Sequence, residues 1–489
     1  MRTVLFIFCA VCLLLPACVN YSVKDKDPAS FTLESYKAKE DFQTFRTILE
    51  RAHPSLYSYQ SKKRMDLIFD SIGKTISKKI TYRDFYNKLC FISNEIGCSH
   101  TAISLPSSIY DSLYNRELFF PLPVLLVEGK LLVNSDLDLP HGTEILKINN
   151  KPAAAILDSL MFYNAVEGHH RETQRYMAGT EFGLQYFLKF GGQKNFFITI
   201  KDTSGATQMI TRPGINLTDI EANQDNRYYF DASDVDYSFV IDNELKRAVL
   251  RLYTFSFGTT NKQNVFEAFL KNSFELLKKK PDINTLVIDL RENAGGLLYN
   301  CFLLNSYIAH APFKEYKNVY SRIKSIPFGE HLSANFSSED VEKVNGQLKN
   351  GFERVANKGY RLSDIAIKSW EPNQYNFTKD VYIITNWRVN SAASYFAFLA
   401  RKTAGAKTIG FETAGGTHSG NGFASIKYEL PGTGFEFQFP YAKMFYTNGD
   451  SFSGNGLVPD YTAKDTYESF MKNQDRQLIY LEDSIRINR

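Results

Sequence analysis

Cysteine is scarce in this chain, with 6 among 489 residues, and beyond the first 18 residues only Cys90, Cys98 and Cys301 remain, an odd number with no C-x-x-C spacing. That spacing argues against a disulfide framework and against a ribbon-type zinc site. An excess of one charge is also missing: 57 Lys and Arg face 53 Asp and Glu, leaving +4 spread over the whole length. Such a balance lacks the footprint of a nucleic-acid binder. Beyond the first residues no segment is long and apolar enough to span a bilayer, which takes about 20 apolar residues. Internal repeats and low-complexity tracts are absent too. What remains is an ordinary globular share of hydrophobic residues, 44%, over a length that predicts two to four domains.

The first residues read as a processing signal. Arg2 supplies a positive start, Val4 to Leu15 form a short apolar stretch, and Leu15-Pro16-Ala17-Cys18 follows. Small residues before a cysteine are what a lipoprotein signal peptidase needs, so residues 1–18 are expected to be a signal peptide. Lipid-modified Cys18 would then anchor the mature chain to a membrane of the cell envelope, facing the periplasm or the surface. Cleavage removes Cys9 and Cys12, and lipidation uses Cys18, which leaves Cys90, Cys98 and Cys301. Polar, aperiodic residues 19–35 suit a tether.

Helical spacing starts after the tether. Phe42, Phe45, Leu49 and Ala52 recur along one face until Pro54. Thr81 with Asp84 forms a capping-box pattern before Phe85, Leu89, Ile92 and Ile96, and Gly97 is a left-handed terminator. Residues 36–112 are therefore expected to be an N-terminal helical domain, with Cys98-Ser99-His100-Thr101 on the turn leaving its buried helix. Residues 113–215 change to short β segments, among them Val124–Val127, Lys130–Val133, Glu144–Ile148 and Phe196–Ile200. From Ala248 onward strands and helices alternate, as β-α-β units do. Residues 310–378 interrupt that rhythm and read as an insertion or a lid; residues 471–489 read as a C-terminal helix. The expected fold class is thus an α/β core with a mixed sheet, an N-terminal helical region and a small β-rich domain.

Three separated pieces carry the chemistry. Ile288-Asp289-Leu290-Arg291-Glu292-Asn293-Ala294-Gly295-Gly296 is a buried strand running into a double glycine, where backbone N–H groups can face a substrate. Thr385 to Ser394 is a strand, a turn and the start of a helix, with Ser391 beside the unpaired N–H groups of a first turn. Gly410 to Gly416 is a glycine turn followed by Thr417-His418, and Gly456-Leu457-Val458-Pro459-Asp460 comes later. Taken singly, Asp289-Leu290-Arg291 could be a strand-end ion pair and Ser391 an N-cap.

In that order these pieces resemble the core of the tail-specific, or C-terminal-processing, serine peptidases, over most of residues 235–470. His141 to Pro152, within 113–215, resembles the strand-turn signature of PDZ domains, which the family also carries, although Phe119-Phe120-Pro121 stands where a PDZ carboxylate-binding loop would be. The resemblance implies Ser391 as nucleophile, with an oxyanion site made by the N–H of Ala392 and that of Gly295 or Gly296. Family members with a Ser–Lys dyad place a lysine in the glycine turn, and no lysine occurs between Lys407 and Lys427. The branch resembling the tricorn core protease instead implies a histidine preceded by a serine, and Ser99-His100 matches it, with His418 as the competing base. That branch also implies an acid shortly before the last motif; Asp450 is the expected residue and Glu412 the next. The activity expected is hydrolysis of peptide bonds in extended or unfolded polypeptides, without metal or organic cofactor, at a rate rising with pH through the imidazole value of about 6.5. The alternative is an inactive, peptide- or partner-binding lipoprotein of the same build.

Overall fold

The computed structural model describes residues 31–76, 79–219, 236–356, 358–446 and 454–487. Cys18, most of the expected tether and Asp450 lie outside the described residues. Thr32–Glu34, expected at the end of the tether, pairs antiparallel with Lys79–Thr81.

The central sheet has the strand order Tyr237–Asp242, Arg247–Leu252, Thr285–Asp289, Asp380–Thr385, Lys407–Gly410, Tyr461–Thr462. The first pair is antiparallel and every later pair parallel. Thr285–Asp289 is buried at all five positions, as a parallel strand covered on both faces must be. Its Ile288 sits between Leu250 and Ile383 in register. Helices Thr260–Lys278, Leu298–Ser306 and Ser391–Ala404 supply the crossovers, and all contribute to one continuous core.

A second, antiparallel sheet runs Phe352–Val355, Gly359–Leu362, Asn318–Ser321, Glu436–Phe445, Ser419–Glu429. Half of it comes from residues 310–378, so the stretch read as an insertion or lid is woven into the fold. Its strand Asn318–Ser321 pairs with Lys443–Phe445, more than a hundred residues away, which local periodicity does not register. Ala102–Ser104 adds a further short strand on Glu436–Gln438, fastening the N-terminal helices to this sheet.

Within 113–215 the strands Val124–Val127, Lys130–Val133, Glu144–Ile148, Asn195–Lys201 and Thr207–Pro213 form a third sheet. Helices Ala153–Leu160, Arg171–Thr180 and Phe182–Phe190 pack on it. Its hydrophobic cluster includes Trp387 and Phe411 of the central sheet's loops. That shared cluster locates the loop Asn164–His170 against the glycine turn, where Glu167 N–H donates to Ala414 O at 3.0 Å.

Candidate active site

One half of the site is built from the helix Tyr82–Ile96. Thr81 Oγ1 caps it by accepting from Asp84 N–H, and Gly97 ends it in the left-handed region at φ 69°. A Cβ at Gly97 would lie 2.9 Å from the Tyr59 ring and 3.0 Å from Gly168 O, so glycine is required for space as well as for φ. The chain turns through buried Cys98 and half-buried Ser99 to His100 and then enters the strand Ala102–Ser104. Ser93 Oγ donates to Thr101 O at 2.7 Å, and His53 Nε2 lies 2.8 Å from Thr101 Oγ1. The turn bearing His100 is thereby held from both sides.

The other half follows the strand Asp380–Thr385. Arg388 pairs with Glu292 at 3.1 Å, and Asn390 N–H donates to Asn293 O at 3.2 Å. Asn390 Oδ1 in turn accepts from Ser391 N–H at 2.7 Å. Ser391 itself has φ +49°, a conformation that costs a non-glycine residue about 1–3 kcal/mol and gathers at functional sites. Gly295 lies against it: a Cβ there would be 2.6 Å from Ser391 Cβ and 3.0 Å from Ala392 N.

The two halves meet where His100 Nε2 stands 2.9 Å from Ser391 Oγ, across 291 residues of sequence. Ser99 Oγ lies 3.1 Å from His100 Nδ1, on the far edge of the ring. Burial pushes the imidazole down to about 4, so at neutral pH it is uncharged and able to accept a proton. The titration expected near 6.5 is displaced for that reason. His418, the competing base, lies 2.9 Å from Thr417 Oγ1 through its Nδ1, with its ring beside Phe398.

Behind His100 stands Glu167, a residue the sequence reading passed over. It is buried, and its Oε1 accepts from Tyr59 Oη and Asn421 Nδ2, each at 3.0 Å. Burial pushes its carboxyl up to about 7, against the opposing pull of Tyr59 and Lys443. The ligand-type atoms of Cys98, His100 and Glu167 all lie within 4.8 Å of one another. Glu167 sits in a loop flanked by Gly168, His169 and His170 with no helical or strand period, so only its company of polar residues marked it. Glu412, the second choice for the acid, accepts from Gly456 N–H at 2.8 Å and lies 3.8 Å from His170. It ties the glycine turn to the last motif.

Among the expected oxyanion donors, Gly295 N–H is engaged with Asn293 Oδ1 at 2.9 Å. Ala392 N–H lies in the first helical turn, where no intrahelical carbonyl serves it. Gly296, at φ +140°, is pressed on the Phe255 backbone, where a Cβ would come within 2.4 Å. The charged motif residues have a different job. Arg291 Nη2 contacts Asp289 at 2.6 Å and Asp475 at 2.8 Å. Asp460 accepts from Thr408 N–H at 2.8 Å and pairs with Arg401. These three acids, Asp289, Asp475 and Asp460, clamp the sheet.

Residues 246–463 match the family model for peptidase family S41. Mature CPAF superposes with a TM-score of 0.63 at 13% identity, over 92% of this chain and 97% of that one. A CPAF mutant gives 0.66 at 12% identity, over 92% and 96%. A putative peptidase from Parabacteroides merdae covers 92% and 96% at 13% identity, with a TM-score of 0.48. At such identities the likeness concerns the fold. No curated protein matches the chain.

Proposed function

Because the chain is a serine peptidase of peptidase family S41, we propose that Ser391 is its nucleophile and His100 its general base. The observation that carries this reading is the 2.9 Å contact between them, made by a neutral imidazole to a strained serine. Ser391 Oγ attacks the peptide carbonyl as His100 Nε2 takes its proton, then returns that proton to the leaving amine. The N–H groups of Ala392 and Gly296 receive the oxyanion, while Gly295 supplies clearance beside Ser391. Ser99 fixes the imidazole's orientation through Nδ1, and Glu167 provides the acid beneath it, in the role expected of Asp450. Water repeats the sequence on the acyl-enzyme.

Substrates are extended polypeptides added beside a strand edge. The β-rich domain, PDZ-like in its 141–152 signature, governs their entry. The leader with Leu15-Pro16-Ala17-Cys18 supports a lipid anchor in the cell envelope. The test is labelling of the full chain with a fluorophosphonate, followed by peptide mapping. Modification should fall on Ser391 and vanish in Ser391→Ala. Labelling elsewhere, or intact hydrolysis in that variant, would overturn the assignment.

A further inference from the structure

The proposed chemistry uses His100 and Glu167 but leaves a third member of their cluster without a task. Cys98 is fully buried two residues before His100, and its Sγ lies within 4.8 Å of both an imidazole nitrogen and a Glu167 oxygen. Thiolate, imidazole and carboxylate bind zinc at about 2.3, 2.0 and 2.0–2.2 Å, so tetrahedral ligand atoms stand roughly 3.3–3.8 Å apart. Small side-chain adjustments would close the present cluster to those separations. The mixed S, N, O set suits a borderline-soft cation rather than magnesium or calcium, which take oxygen. A second observation points the same way: Glu167 Oε2 is buried with no hydrogen-bond partner among the described residues. Buried oxygens are rarely left so.

We propose that Cys98, His100 and Glu167 form an inhibitory site for a thiophilic divalent cation of the zinc class, which on binding stops the imidazole from acting as the base for Ser391. Binding forms a metal–sulfur bond and releases the Cys98 thiol proton to solvent, while His100 and Glu167 each donate a lone pair. Either ring nitrogen gives the same result. Coordination through Nε2 occupies the base itself. Coordination through Nδ1 leaves the proton on Nε2, which then donates to Ser391 and cannot accept from it. His100, partly exposed, gives the ion its way in. The inhibitory consequence rests on the assignment of His100 as base; the binding site does not.

The test therefore separates the two. The full-length protein is titrated with Cd²⁺, without substrate, and thiolate-to-metal charge transfer is followed in the ultraviolet. One equivalent should produce the band, and Cys98→Ala should abolish it, with Cys98→Ser as a second variant should alanine not fold. Buffered Zn²⁺ should then stop fluorophosphonate labelling of Ser391, reversibly with a chelator. Cys98→Ala should raise the concentration needed by about tenfold or more. Cadmium binding without a thiolate band, or equal zinc sensitivity in wild type and Cys98→Ala, overturns the site. A thiolate band with undiminished labelling overturns the inhibition.

Discussion

Two polar clusters, one around Arg291 and one around His100, are built for different purposes. Around Arg291, each of these guanidinium nitrogens has an acceptor: Nε and Nη2 face Asp289, and Nη1 faces Asp475 and Gln477 at 2.9 and 2.8 Å. Gln477 passes the chain on to Ala463 O at 2.7 Å. This cluster pins the helix Arg476–Ile487 to the end of Thr285–Asp289. Around His100 the matching is incomplete. Its imidazole is held down to about 4 and Glu167 up to about 7, because burial opposes the charged form of each. The satisfied cluster fixes a structure, whereas the unsatisfied one keeps a proton acceptor ready.

The comparison breaks most visibly at the serine. Ser391→Ala and His100→Ala should each lower kcat/KM by about 10⁴-fold or more, and the double variant should be scarcely worse, since residues acting as a unit are grossly non-additive. Progress curves on a fluorogenic peptide measure this; additive losses would separate the pair. Thermal unfolding of both variants should stay near wild type. Arg291→Ala should do the reverse. Leaving buried Asp289 and half-buried Asp475 without their cation should cost about 3–5 kcal/mol in urea unfolding.

pH sharpens the contrast. A base at about 4 predicts that log kcat/KM rises through pH 4, without a further His100 step at 6.5. Glu167 works on stability with the opposite sign. Its folded value, about 7, exceeds the ordinary 4.5, so between those values the native state binds the extra proton. Stability from this group is therefore present below about 4.5 and lost as pH rises to 7. Glu167→Gln should gain on wild type across that window and keep a constant advantage above it; parallel curves would refute the buried-carboxylate account. The smallest effect is expected at Gly97→Ala. There a left-handed φ and the crowding by Tyr59 should cost about 1–3 kcal/mol.

Much of this was legible because it is local. Thr81, the apolar period from Phe85 to Ile96, and Gly97 specify a capped helix without outside help. The double glycine at Gly295-Gly296 announced close backbone approach, and Gly295 does lie against Ser391. Glu167 was not legible, because its place depends on the docking of one domain on another through Trp387 and Phe411. Nor was the second sheet's use of residues 310–378. Asn318–Ser321 finds its partner at Lys443–Phe445, and no pattern within either strand names the other.

The short strand after His100 has a bearing on the order in which the chain becomes dangerous. Ser104 pairs with Glu436 and Ala102 with Gln438, so the turn holding the imidazole gains its strand pairing only once the chain has been made almost to its end. Closing so long a loop is slow and entropically costly. A partly made chain therefore carries its serine and its histidine as strangers. Hydrolytic competence is the last property the molecule acquires, and it arrives together with the finished fold.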